Sequence, residues 1–80
     1  MAKRVYVHVT HGSENPTRAG LGWTMVKGLI EAGHKVEVTL AGDGAVLARQ
    51  VVADNVLPVG LPPLKELIAF AKENHVPVYV

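Results

Sequence analysis

One stretch near the start of the chain, residues 5–16, constrains the fold more than any other because it joins a strand to a turn and a helix. Its first half alternates valines with larger or polar residues, as a strand does when successive side chains point to opposite faces. Its second half ends in Asn15-Pro16, a residue that caps helices followed by one that suits the first helical turn. Neither face of the strand is plainly polar, which predicts a central strand covered on both sides.

Helical patterns fill much of the remaining chain. Apolar residues at three- and four-residue spacing predict a first helix up to about residue 32, with Gly33 as its left-handed end. A shorter helix is predicted over residues 45–53, and a third opens at Pro62-Pro63. The inner face of this third helix is expected to consist of Leu64, Leu67, Ile68 and Ala71.

Two further strands complete an α/β pattern. Residues 35–41 alternate polar and apolar, which predicts a half-exposed strand at one edge, and residues 76–80 predict a last strand that is apolar on both faces. Helices between the strands require a parallel sheet with right-handed crossovers. The simplest arrangement is strand order 2-1-3, with the first helix on one face and the later helices on the other. The last strand is then an exposed apolar edge, which favours association.

Composition limits the classes of function. A single domain of 80 residues, 49% hydrophobic, has a marginal core, so we expect a homo-oligomer. A net charge of +1 without a basic stripe argues against nucleic acid as a partner. No residue is a cysteine, which excludes disulfides, thiolate zinc sites and thiol nucleophiles from this sequence. No apolar run resembles a membrane span or a secretory leader, so we expect a soluble, cytoplasmic protein without a membrane partner.

The candidate site lies where the first two strands end. Parallel strands end at the same edge of a sheet, so the loops that follow them are expected to be neighbours at the edge where α/β folds bind ligands. Backbone amides, a helix start and the imidazole of His11 could hold an anion there. The predicted ligand-binding residues are Thr10, His11, Gly12, Ser13, Asn15, Gly42, Asp43 and Gly44. Asp43 has helix capping as its alternative role.

The sequence assigns no catalytic residue, cofactor or metal site. Neither loop carries a dinucleotide or phosphate-binding signature, and Ser13 lies in no nucleophile motif. His34 and His75 precede their strands, so we expect them at the opposite end of the sheet from His11. His8 is interpreted as a hydrogen-bonded core histidine. Trp23 is interpreted as a core residue, with a subunit-interface anchor as the alternative.

Three segments in order resemble the DsrE/DsrF-like family. They are VYVHVTHG with Asn15-Pro16 after it, EAGHKV leading to LAGDG, and VGLPPLKEL. The resemblance spans nearly all of the chain. It implies a flavodoxin-like parallel sheet, frequent trimers or hexamers, and a sulfur relay in which a cysteine carries a persulfide and passes it to a partner protein.

The chain departs from this family at one point. In active members the cysteine follows the third strand, whereas this sequence ends at Val80, so none of its residues inherits the persulfide-carrying role, and whether it is an enzyme stays open. We expect one DsrE-like domain, or the N-terminal two thirds of a longer one. The leading hypothesis is cytoplasmic sulfur relay without the carrier cysteine, with sulfur-relay proteins as partners. The alternatives are a non-catalytic module for an anion or small ligand and an oligomeric interaction module.

Overall fold

A computed structural model describes residues 3–80 as a parallel sheet of three strands with connecting helices. The elements in chain order are β1 (Arg4–Val9), α1 (Pro16–Glu31), β2 (Lys35–Leu40), a 3₁₀ helix (Gly42–Ala48), α2 (Gln50–Ala53), α3 (Leu64–Glu73) and β3 (Val78–Tyr79). The predicted α/β class is confirmed. Over this part of the chain, the helices are too short or too polar to cross a membrane.

The central strand is β2, so the predicted strand order is wrong. β2 pairs with β1 along its whole length, and its residues Val38 and Thr39 pair with Val78 and Tyr79 of β3. The order is therefore 1-2-3 rather than 2-1-3. The alternation in β2 does not mark an edge strand. It reports one uncovered face of the sheet instead, and a strand with neighbours on both sides can have such a face.

The described helices pack on one face of this sheet, and the other face is open. In strand order 1-2-3 both right-handed crossover connections lie on the same face of the sheet, so α1 packs against α3. On the open face Tyr6 and Tyr79 are 59% and 54% exposed, and His8, which the strand register places level with Tyr79, is exposed as well. The predictions that helices cover both faces and that His8 is a core residue are therefore wrong.

The hydrophobic core lies between the sheet and the helix layer. Its largest fully buried side chains come from three elements: Trp23, Val26, Val38 and Leu64. Trp23 is 1% exposed, as expected for a core residue rather than an interface anchor. All four residues predicted for the inner face of α3 are buried.

The bounds of α1 follow the sequence signals. The Asn15 side chain accepts a hydrogen bond from the Arg18 N–H at 3.2 Å, and Pro16 opens the helix. Gly33 follows the end of the helix with a φ of 89°, as predicted. These signals are local, so they needed no tertiary information.

The helix predicted over residues 45–53 is divided in two. Arg49 has an extended backbone, with φ −87° and ψ 121°, between the 3₁₀ helix and α2. The division lets both pieces contribute to the core, through Leu47 and Ala53. Two other apolar residues of this segment, Val46 and Val51, are 40% and 68% exposed.

β3 begins two residues later than the predicted strand because of Pro77. The Val38 N–H donates to the Pro77 carbonyl at 2.9 Å, but Pro77 has no N–H to return to β2. Regular pairing therefore begins only at Val78.

Candidate functional site

The two loops predicted to be neighbours meet at the carboxyl edge of β1 and β2. We call residues 10–15 and 41–44 the loop edge. The Ala41 N–H donates to the Val9 carbonyl at 3.1 Å, which fixes the second loop beside the end of β1. Gly44 is buried so close to the same carbonyl that a Cβ would clash with it, and a Cβ on Gly12 would clash with the Asp43 carbonyl. The loop edge is thus held by backbone contacts that only glycine permits.

Glu14 uses the hydrogen-bond donors of the first loop. Its Oε2 lies 2.9 Å from His11 Nδ1, and its Oε1 accepts from the Gly12 N–H. Hydrogen bonding by His11 and then by Gly12 lowers the pKa of the Glu14 carboxyl below 4.5. The Glu14 carboxylate therefore occupies hydrogen-bond donors of the first loop that were predicted to bind an anionic ligand.

Glu14 was not among the eight predicted site residues. The sequence signal that could have identified Glu14 is its three-residue spacing from His11, because this spacing brings the two side chains to the same side of a turn. When His11 is neutral and donates from Nδ1, its Nε2 is free to accept a proton or a hydrogen bond. The pair is partly exposed, with 36% of the His11 side chain and 41% of the Glu14 side chain accessible.

The other predicted residues share this edge but differ in what their side chains do. Asn15 is engaged as the cap of α1. Thr10 and Ser13 are exposed hydroxyls. Gly42 has a φ of 54°, which a glycine adopts without strain. The 3₁₀ helix starts without a side-chain cap, so Asp43 does not take the alternative capping role.

His34 and His75 lie at the other end of the sheet. Both line a cleft of about 640 Å³ beside the starts of β1 and β2, as their sequence positions predicted. Within residues 3–80, no group of three or more His, Cys, Asp or Glu side chains is arranged to hold a metal ion.

The loop edge offers side chains that can form hydrogen bonds with a ligand or a partner. It presents an imidazole, a carboxylate and two hydroxyls on a backbone held by glycine contacts.

A family model described as the DsrE/DsrF-like family matches residues 3–80 of the chain. No curated protein and no solved structure matches it.

Proposed function

Because the chain belongs to the DsrE/DsrF-like family, we propose that it serves sulfur relay, the transfer of persulfide sulfur between proteins in the cytoplasm. The family match over residues 3–80 is the observation that carries this proposal. The sulfur-carrying thiolate lies outside residues 1–80, because none of these residues is a cysteine and persulfide exchange needs a thiolate. The chain contributes a docking surface rather than a carrier.

The loop edge is the surface we assign to this partner. The exposed Thr10 and Ser13 and the partly exposed His11 lie on loops that contact each other through Gly12 and Gly44. Such backbone contact limits how far the loops can move, so the polar groups are presented in a defined arrangement. A free anion is a weaker candidate as the ligand, since Glu14 already accepts from the Gly12 N–H.

Amide chemical shifts test this assignment. The ¹⁵N-labelled chain is titrated with a cysteine-containing protein of the family, once reduced and once persulfidated. We expect shifts at the loop edge, tighter binding of the persulfidated form, and no mass gain of a sulfur atom on the labelled chain. Binding that ignores the persulfide, or shifts confined to other surfaces, would contradict the proposal.

A matched pair of aspartate variants makes the test specific. Asp43 lies in the loop edge. Asp54 is an exposed residue at the end of α2, and its carboxylate accepts a hydrogen bond from the Gln50 side chain. Asp43→Asn should change the affinity for the persulfidated partner, because it alters the charge of the surface assigned to that partner, and Asp54→Asn, with the same loss of charge, should leave the affinity unchanged.

We also propose that the chain forms a homo-oligomer, a trimer or a hexamer, through β3. Val78, Tyr79 and Val80 are 39%, 54% and 77% exposed, and in the described chain β3 pairs with β2 alone. An outer strand that is apolar and unprotected readily pairs with another chain.

Light scattering after size-exclusion chromatography tests the assembly. The wild type should have the molar mass of a trimer or hexamer, and Val78→Lys should reduce it to that of one chain. Val59→Lys, at an apolar residue 80% exposed in the loop before α3, is the control. A monomeric wild type, or an assembly that tolerates Val78→Lys, would remove β3 as the interface.

A further inference from the structure

A cavity of the described chain lies at the end of the sheet opposite the loop edge. Its volume of about 640 Å³ is in the range of small-molecule sites. We call it the amino-edge cleft, after its position at the amino ends of the strands. Its polar lining consists of Arg4, His34, Lys35, Glu37, Asn74 and His75.

The cleft exists because β3 does not pair with the first residues of β2. Pairing starts at Val38, after Pro77 has interrupted the ladder. The earlier residues of β2, including Val36, therefore border open space between the ends of α1 and α3. Ile30, Val76 and Pro77 give this space an apolar wall.

The charged groups of the cleft favour an anion. The lining has two basic side chains, Arg4 on β1 and Lys35 on β2, and its one carboxylate, Glu37, lies 3.8 Å from Arg4 Nε. The His34 ring accepts the Lys3 N–H at Nδ1, 3.1 Å away. A neutral His34 therefore carries its proton on Nε2, where it is a donor.

The position of His75 gives a second, independent argument. α1 and α3 end in the same motif: after α1, Gly33 N–H donates to the Ile30 carbonyl and His34 N–H to the Leu29 carbonyl. After α3, the corresponding donations are from His75 to Lys72 and from Val76 to Ala71. Such motifs place a residue in the left-handed region, where glycine is favoured.

His75 occupies the position that Gly33 fills after α1. Its φ is 58°, and it is the one residue other than glycine with positive φ in the described chain. A non-glycine residue is destabilised in this conformation, and strained residues cluster at ligand sites. His75 thus combines a strained backbone with a basic side chain on the wall of the cleft.

We propose that the amino-edge cleft binds a small organic molecule that carries a tetrahedral oxyanion, a phosphate or a sulfur oxyanion. The cationic and imidazole groups bind the oxyanion: Arg4, Lys35, His34 and His75. The organic part packs on the apolar wall. This site is separate from the loop edge and does not depend on the proposed role in sulfur relay.

Amide shifts of the wild-type chain, titrated with phenyl phosphate, benzenesulfonate, thiosulfate and sulfate, test the proposal. We expect saturable shifts at Lys35, Val36 and Val76, and tighter binding of the phenyl compounds than of sulfate because of the apolar wall. The stronger of phenyl phosphate and benzenesulfonate identifies the kind of oxyanion. Absence of saturable shifts with all four probes would overturn the proposal.

Three variants give the specificity controls. His75→Gly and Lys35→Gln should each weaken binding about tenfold, the loss of one charge-assisted hydrogen bond. Lys65→Gln, the same change on an exposed residue of α3 outside the cleft, should not. Unchanged affinity in His75→Gly would also overturn the proposal.

Discussion

The backbone of Gly12 lies directly against the carbonyl of Asp43: a Cβ on Gly12 would be 2.5 Å from that oxygen and 2.6 Å from Val46 Cγ2. The two loops of the proposed docking surface are therefore packed on each other. Because the carbonyl belongs to the backbone, it cannot rotate away as a side chain could. The contact ties the end of β1 to the 3₁₀ helix that follows β2.

A methyl group at Gly12 should separate the loops. Gly12→Ala is expected to destabilise the chain by about 1–3 kcal/mol, the usual range for overpacking. Gly28→Ala is the matched control, because Gly28 lies within α1 and a methyl group added to it would meet no atom within 4 Å, so alanine there should stabilise by up to about 1 kcal/mol. Urea unfolding of both variants measures the difference. Equal stability of the two would contradict the packed contact.

The Glu14 carboxylate should make the first loop sensitive to acid. Its pKa is lowered by His11 and Gly12, so its contribution to stability is present above pH 4.5 and is lost as the pH falls through the lowered value. The Gly12 amide proton shift should therefore titrate with a midpoint below 4.5. Glu14→Gln should abolish this titration, and His11→Gln should move its midpoint upward. A midpoint in the wild type at or above the ordinary value would be inconsistent with the bonded pair.

The strand order can be tested through Tyr79. Hydrogen bonding to the Glu37 carboxylate, and then its charge, raise the pKa of the Tyr79 hydroxyl above 10.0. Any stability from this contact is present below about pH 10 and is lost as the pH rises through the raised value. In a Tyr6→Phe background, which leaves Tyr79 as the one tyrosine, absorbance titration should show that Glu37→Gln lowers this pKa.

Order 2-1-3 predicts a different result for the same variants. β1 would then separate β3 from β2, and about 10 Å would lie between the outer strands. Tyr79 would be insensitive to Glu37→Gln. Glu66→Gln, on the outer side of α3, is the control expected to have no effect in either order.

The strain at His75 predicts a stabilising substitution. His75→Gly relieves a left-handed histidine, and after the extra freedom of glycine in the unfolded chain we expect a gain of about 1 kcal/mol. Gly33→His, the reverse exchange at the end of α1, should destabilise by a similar or larger amount. Thermal unfolding measures both. A less stable His75→Gly variant would show that the imidazole supports the fold rather than a ligand.

Local patterns predicted the elements better than their arrangement. The cap at Asn15, the end at Gly33 and the inner face of α3 were all correct because each depends on residues within a few positions. The loop edge was predicted correctly as a meeting of two loops, since parallel strands end on the same side. Glu14 was missed because its role depends on the exact turn that brings its carboxylate to His11 and Gly12.

The sequence by itself determined the α/β class, the helix ends and the positions of the histidines at opposite ends of the sheet, because short-range periodicity, capping and strand direction decide these features. Only the tertiary structure decided that β2 is central, that Tyr6 and His8 lie on an open face, and that His34 and His75 share a cleft. Alternation reports how many faces of a strand are covered, and it carries no information on which strands pair along its edges.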